Sequence, residues 1–121
     1  MFDDLAERVN RNGALVRRGR YVNCTILIEA GEERHLVRIK DGAIAEVSKG
    51  GLLMADFTFA LRAPREAWDK LLAAKPAPGF TDIFALQRKK LLRIEGDLHP
   101  FMANLLYFKD VLASARQQEA T

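Results

Sequence analysis

The chain is predicted to fold as an α+β domain in which a five-stranded, mainly antiparallel sheet is covered on one face by helices. Three observations predict it. Residues 21–30, 35–40, 43–48, 56–62 and 91–96 are rich in β-branched or aromatic residues and mostly alternate, the period of a half-buried strand. Residues 2–18, 64–88 and 97–115 place apolar side chains three and four apart, the period of a helix packed on one side. The strands are joined by short connections, which favour antiparallel neighbours and a layered sheet-and-helix arrangement. A length of 121 residues suits one domain, 1–121.

The N-terminal helix, 2–18, is marked by Phe2, Leu5, Ala6 and Val9 on one face, with Asp3, Asp4 and Glu7 in the first turns where the helix dipole favours acids. Gly13 weakens it, so the helix either ends near Asn12 or continues to Arg18. Four strands are expected within 20–62. In the first, Val22, Cys24, Ile26 and Ile28 share a face. With Glu32 and Glu33 as the central turn residues, Ile28 would oppose Val37 and Ile26 would oppose Ile39 on the second strand. Asp41-Gly42 is a strong hairpin signal, because a type I′ turn needs positive φ at both central positions. The third strand fits two registers. A tight turn puts Ile44 and Glu46 on the apolar face, and a bulge brings Val47 in instead. In 56–62, Phe57, Phe59 and Leu61 point one way.

Pro64 suits the first position of a helix whose buried stripe is Trp68, Leu71 and Leu72. Thr81 is the expected cap of a second, short helix at 82–88, with Ile83, Phe84 and Leu86 apolar. The fifth strand leads through Gly96 to Asp97, a candidate cap for the C-terminal helix. That helix is expected to run unbroken with Leu98, Phe101, Met102, Leu105, Phe108 and Leu112 on one stripe.

An apolar fraction of 49% and a charged fraction of 29% describe a globular chain with a full core. A net charge of +3, from basic residues scattered among acids, is too mild for a dedicated nucleic-acid binder. Cys24 is the only cysteine, so no internal disulfide forms, and the first residues lack an apolar signal core. A cytoplasmic location is the expectation. No cofactor is implied. His35 and His99 stand far apart with no Cys or His at metal-ligand spacing, so no metal site is expected. Cys24 lies on the apolar face, where a thiol is inert. Ser48 and Ser114 lack a nucleophile motif, and Glu95 with Asp97 reads as a strand exit and a helix cap. No catalytic constellation stands out, and the protein is not expected to be an enzyme.

Four segments resemble the sterol carrier protein type 2 family, the non-specific lipid-transfer proteins. They are Val37-Arg38-Ile39-Lys40-Asp41-Gly42; Ala55-Asp56-Phe57-Thr58-Phe59-Ala60-Leu61; the following helix with Trp68, Leu71 and Leu72; and Leu91-Leu92-Arg93-Ile94-Glu95-Gly96-Asp97. The resemblance implies a sterol carrier protein-like fold. It also implies a tunnel between sheet and helices that takes a fatty acyl chain, acyl-CoA, sterol or isoprenoid. Candidate lining residues are Ile26, Ile28, Val37, Ile39, Phe57, Phe59, Leu61, Trp68, Leu72, Phe84, Phe101, Met102, Leu105 and Phe108. From the residues alone, the same side chains pack on one another as an ordinary core. Arg88, Lys89, Lys90 and Arg93 either hold an anionic head group or form a solvated face. The expected partner is an apolar small molecule, with transient membrane contact and a homodimer as further expectations. The alternative is a non-catalytic accessory module with a filled core, docking a partner or second copy through the C-terminal helix.

Overall fold

The computed structural model describes residues 2–50 and 56–116. In chain order they form α1 (Leu5–Arg11), α2 (Gly13–Arg18), β1 (Cys24–Ala30), β2 (Glu33–Lys40), β3 (Ala43–Lys49) and β4 (Phe59–Ala63), then α3 (Arg65–Leu71), α4 (Ile83–Arg88), β5 (Arg93–Gly96), α5 (His99–Ala103) and α6 (Leu105–Ala113). Ala55, the first residue of one family-like segment, lies outside the described residues.

The sheet order is β3-β2-β1-β4-β5. Three of the four pairings are antiparallel, and β1 with β4 is parallel. The sheet is thus mixed but mainly antiparallel, as expected. Its two faces differ sharply. Ile26, Ile28, Val37, Ile39, Ile44, Phe59 and Leu61 are buried on the helix-covered face. The other face carries Arg34, Arg38, Glu46, Arg62, Arg93 and Glu95, and Arg38 pairs with Glu46 at 2.5 Å.

The first hairpin turns one residue earlier than expected, which shifts its pairing by two. Gly31 has φ +62°, so the turn falls at Gly31-Glu32, and Ala30 faces Glu33. Ile28 therefore opposes His35 rather than Val37, and Ile26 opposes Val37 rather than Ile39. A shift of two keeps every side chain on its own face, so the apolar patch survives the correction. The third strand takes the bulged register. The pairing slips between Arg38 and Ile39, Ile39 faces Ile44, and Val47 faces Val37 on the core side. Asn10 of α1 pins this edge strand, donating to the Ile44 carbonyl at 3.0 Å and accepting from its N–H at 2.8 Å.

Three helical expectations change. The N-terminal helix splits at Asn12, whose side chain accepts from the Leu15 N–H at 3.2 Å and starts α2. Asp82, not Thr81, caps α4, accepting from Ala85 N–H at 2.9 Å. The C-terminal helix breaks at Asn104 (φ −135°, ψ 41°), where the side chain donates to the Pro100 carbonyl at 3.0 Å. The stripe is only partly kept. Phe101, Tyr107, Phe108, Val111 and Leu112 are buried, whereas Met102 is 61% exposed and Leu98 38%. β4 starts at Phe59 and leaves half-buried Phe57 outside the strand. Thr58 ties the chain to β1 just before it, its N–H donating to the Thr25 carbonyl at 2.7 Å and its hydroxyl oxygen accepting from the Thr25 N–H at 3.0 Å.

Candidate functional site

The space between sheet and helices is closed by rings. Phe59 of β4 meets Phe101 of α5 and Phe108 of α6 edge-on at centroid distances of 5.4 and 5.3 Å. Phe101 stacks on Phe108 at 5.8 Å, and Tyr107 meets Phe108 at 5.2 Å. At the other end Trp68 donates its indole N–H to the Glu29 carbonyl at 2.9 Å and packs edge-on against Phe2 at 5.8 Å.

Most of the expected lining residues converge here. Ile26, Ile28, Val37, Ile39, Phe59, Leu61, Trp68, Leu72, Phe101 and Phe108 are all buried in one cluster, with Phe84 and Leu105 packed half-buried against it. Met102 does not join them; it points to solvent from α5, because the helix breaks two residues later. The expected head-group residues scatter. Arg88, Lys89 and Lys90 are exposed around the end of α4, and the Lys89 ammonium lies 5.2 Å from the Phe80 ring centroid. Arg93 sits on the opposite, charged face of the sheet, bonded to Glu95.

A groove of about 370 Å³ lies where the connection after α3 and the start of α4 meet α6. Leu71, Ile83 and Leu112 form its floor. All three are core residues, and Leu112 stands one helical turn beyond Phe108, so the floor continues toward the ring cluster. Lys109 and Arg116 stand at the rim. Lys109 lies 3.8 Å from Asp82, and Arg116 donates to the backbone carbonyls of Leu71, at 3.2 Å, and Thr81. The Asp82 and Asp110 carboxylates also line the groove, Asp82 beside Lys109 and Asp110 bonded to Arg18 at 2.6 Å, so an apolar floor is bounded by two cations and two paired acids. Neither cation was expected at such a site. The available signal was their placement: Lys109 directly follows core residue Phe108, and Arg116 directly follows Ala115.

A second hollow of about 250 Å³ is polar, between Asp3, Asp4 and Arg8 of the N-terminal region and Arg65 and Asp69 of α3. Arg8 there donates to the carbonyls of Ser114, at 3.2 Å, and Arg116, tying α1 to the end of α6. Two further hollows, of about 300 and 640 Å³, involve Thr25 and Arg38 at the charged face and one end of the sheet.

Among the described residues, three titratable groups are buried in the interior: Cys24, His35 and Tyr107. Burial pushes the Cys24 thiol up to about 11, so it stays protonated at neutral pH. Burial pushes Tyr107 up to about 12, and its hydroxyl donates to the Gly42 carbonyl at 2.6 Å. His35 is 1% exposed, edge-on to Phe2 at 5.1 Å, with Nε2 3.5 Å from a Glu33 carboxylate oxygen. Burial lowers its pKa below the ordinary 6.5, although Glu33 opposes the shift. The neutral ring is therefore the form the fold favours. Stability is expected to fall as the pH drops below 6.5, where an unfolded histidine takes up a proton that the folded one resists. Thermal melts across that range check this, and His35→Leu should flatten the dependence. Among the described residues, no cluster of three His, Cys, Asp or Glu side chains is placed to hold a metal.

No family model matches the chain, and no curated protein matches its sequence. Solved structures do match. The crystal structure of sterol carrier protein 2 superposes with a TM-score of 0.75 at 12% identity, covering 95% of this chain and 92% of that one. The apo form of sterol carrier protein 2 from Yarrowia lipolytica gives 0.62 at 16%, covering 97% and 90%. UbiJ-SCP2, a ubiquinone synthesis protein, gives 0.59 at 18%, covering 92% and 84%. The chain has the sterol carrier protein 2-like fold that its four segments led us to expect.

Proposed function

We propose, with that fold as premise, that the chain binds one apolar, lipid-like molecule whose tail lies between the sheet and α6 and whose anionic end meets Lys109 and Arg116. The single observation that carries this is the groove over Leu71, Ile83 and Leu112, whose floor belongs to the same apolar cluster as Phe59, Phe101 and Phe108. The rings of Phe59, Phe101 and Phe108 pack on one another, so a tail must displace them. The element most easily displaced is α5, five residues long and cut off from α6 at Asn104. A helix that short holds its shape only through packing. Burying ten methylenes gains roughly 8 kcal/mol before the costs of ordering and of moving α5, so a few polar contacts suffice.

The test is titration with cis-parinaric acid, whose fluorescence rises when its chain leaves water. Saturable binding at one molecule per chain is expected. Lys109→Glu should weaken it about three- to fivefold, the range of a partly exposed ion pair. A neutral alcohol of the same chain length should bind the variant and the parent alike. No saturable rise with the parent protein would instead favour the accessory module with a permanently filled core.

A further inference from the structure

We propose that Phe2 is an acid-released plug: when His35 takes up a proton, the Phe2 ring leaves its seat against His35 and Trp68, and the segment ahead of α1 opens while the rest of the fold holds. His35 sits on β2 and is 1% exposed. Its Nε2 has no hydrogen-bond partner among the described residues, and the Glu33 carboxylate oxygen nearest to it is 3.5 Å away. A buried nitrogen left in this state is rare and calls for a reason. The neutral ring tolerates the place. An imidazolium does not, because both of its nitrogens then donate and its charge has lost water.

The groups around the ring decide what gives way. On β2 itself, Glu33 attracts the added charge, but its carboxylate is already shared. Arg65 of α3 donates to its other oxygen at 2.7 Å, and Lys49 of β3 lies 4.0 Å from that same oxygen. Asp69 answers Arg65 in turn, at 3.4 Å. Lys49 and the positive amino terminus both work against a charged ring. His35 cannot itself leave, because its backbone stands between Ile28 of β1 and Lys49 of β3 in the sheet. The neighbour that can leave is Phe2, which is edge-on to the imidazole at 5.1 Å and offers it no acceptor. Phe2 precedes α1, and its carbonyl accepts from the Leu5 N–H at 3.2 Å. Its ring is seated by contact, 1% exposed and edge-on to Trp68 at 5.8 Å. Burial holds the pKa of the covered imidazole below 6.5, although Glu33 opposes the shift. Once Phe2 leaves and water enters, the ring returns toward that ordinary value. The open form therefore gains on the closed one as the pH falls below 6.5, and a local opening needs less than unfolding the whole domain. The plug does not depend on whether a tail enters the interior.

Trp68 is the only tryptophan and is fully buried beside Phe2, so its emission reads the plug. The experiment records fluorescence and far-ultraviolet circular dichroism of the full chain from about pH 8 to about pH 5, the span in which histidine changes charge. On acidification the Trp68 maximum is expected to move to longer wavelength, and quenching by acrylamide to rise, while the dichroism stays constant. Wavelength is read rather than intensity, because an imidazolium can quench an indole without any movement. His35→Leu keeps the contact and cannot titrate, so its maximum should stay at short wavelength throughout. Phe2→Ala lacks the plug, so its maximum should lie at longer wavelength from the start and not respond to pH. His99, the other histidine, is exposed on α5, and His99→Gln should behave as the parent does. A parent maximum that does not move, or one that moves equally in His35→Leu, would overturn the proposal. So would dichroism lost in step with the shift, or a pH response in Phe2→Ala as large as the parent's.

Discussion

Phe59→Ala is expected to destabilise the protein by about 3–5 kcal/mol, the cost of deleting a buried aromatic ring that cannot be refilled by relaxation. Phe59 is fully buried on β4, between β1 and β5, and touches both Phe101 and Phe108. Its loss removes two of the three contacts that close the ring triad, and with them the packing that holds five-residue α5 in place. A domain of this size has about 5–15 kcal/mol in all, so the change removes a large share. Urea denaturation should show a lower midpoint with an unchanged slope. The same change has a second expected consequence under the proposed function. The interior then has room that an apolar tail can use without displacing a ring, so cis-parinaric acid should bind the variant at least as tightly as the parent while stability falls. Stability and affinity moving in opposite directions would be hard to obtain from a merely damaged core.

Gly42→Ala is the other large effect, about 2–4 kcal/mol, from two separate causes. Gly42 has φ +81°, which a residue with a Cβ adopts at a cost of about 1 kcal/mol or more. The added methyl would also meet backbone atoms, Val16 O and the Gly19 carbonyl, rather than a side chain that can swing aside. The hairpin turn would have to pull away from α2, taking with it the Gly42 carbonyl that accepts from Tyr107. Tyr107 would then be left buried without its partner. Thermal melting measures the loss. Asp41→Gly, at the neighbouring position with φ +53°, should be tolerated far better, because glycine adopts that conformation without strain.

Most of the fold was legible because strand alternation is a local signal with a period of two. That is why the pairing of the first hairpin could be placed two residues off and still yield the correct face. The bulge that brings in Val47 was legible as one of two registers, and the choice was settled by tertiary contact, the Asn10 clamp on Ile44 from α1. The break at Asn104 was not legible. Apolar residues recur through 98–112 as in one continuous stripe, and nothing in that pattern marks Asn104, whose side chain bonds to the Pro100 carbonyl, as a break. Met102 was misplaced for that reason. The groove cations escaped for a different one. Lys109 and Arg116 meet Asp82 and the Leu71 and Thr81 carbonyls across about 27 to 45 residues of sequence, a convergence that no local pattern encodes.

The proposed function requires an apolar tail to lie among the rings of Phe59, Phe101 and Phe108. Isotope-filtered nuclear Overhauser spectra of the labelled chain saturated with an unlabelled fatty acid read that directly. Cross-peaks from the ligand's mid-chain methylenes to these three rings are predicted. Cross-peaks confined to exposed side chains such as Leu106 and Tyr21, or none at all, would contradict it.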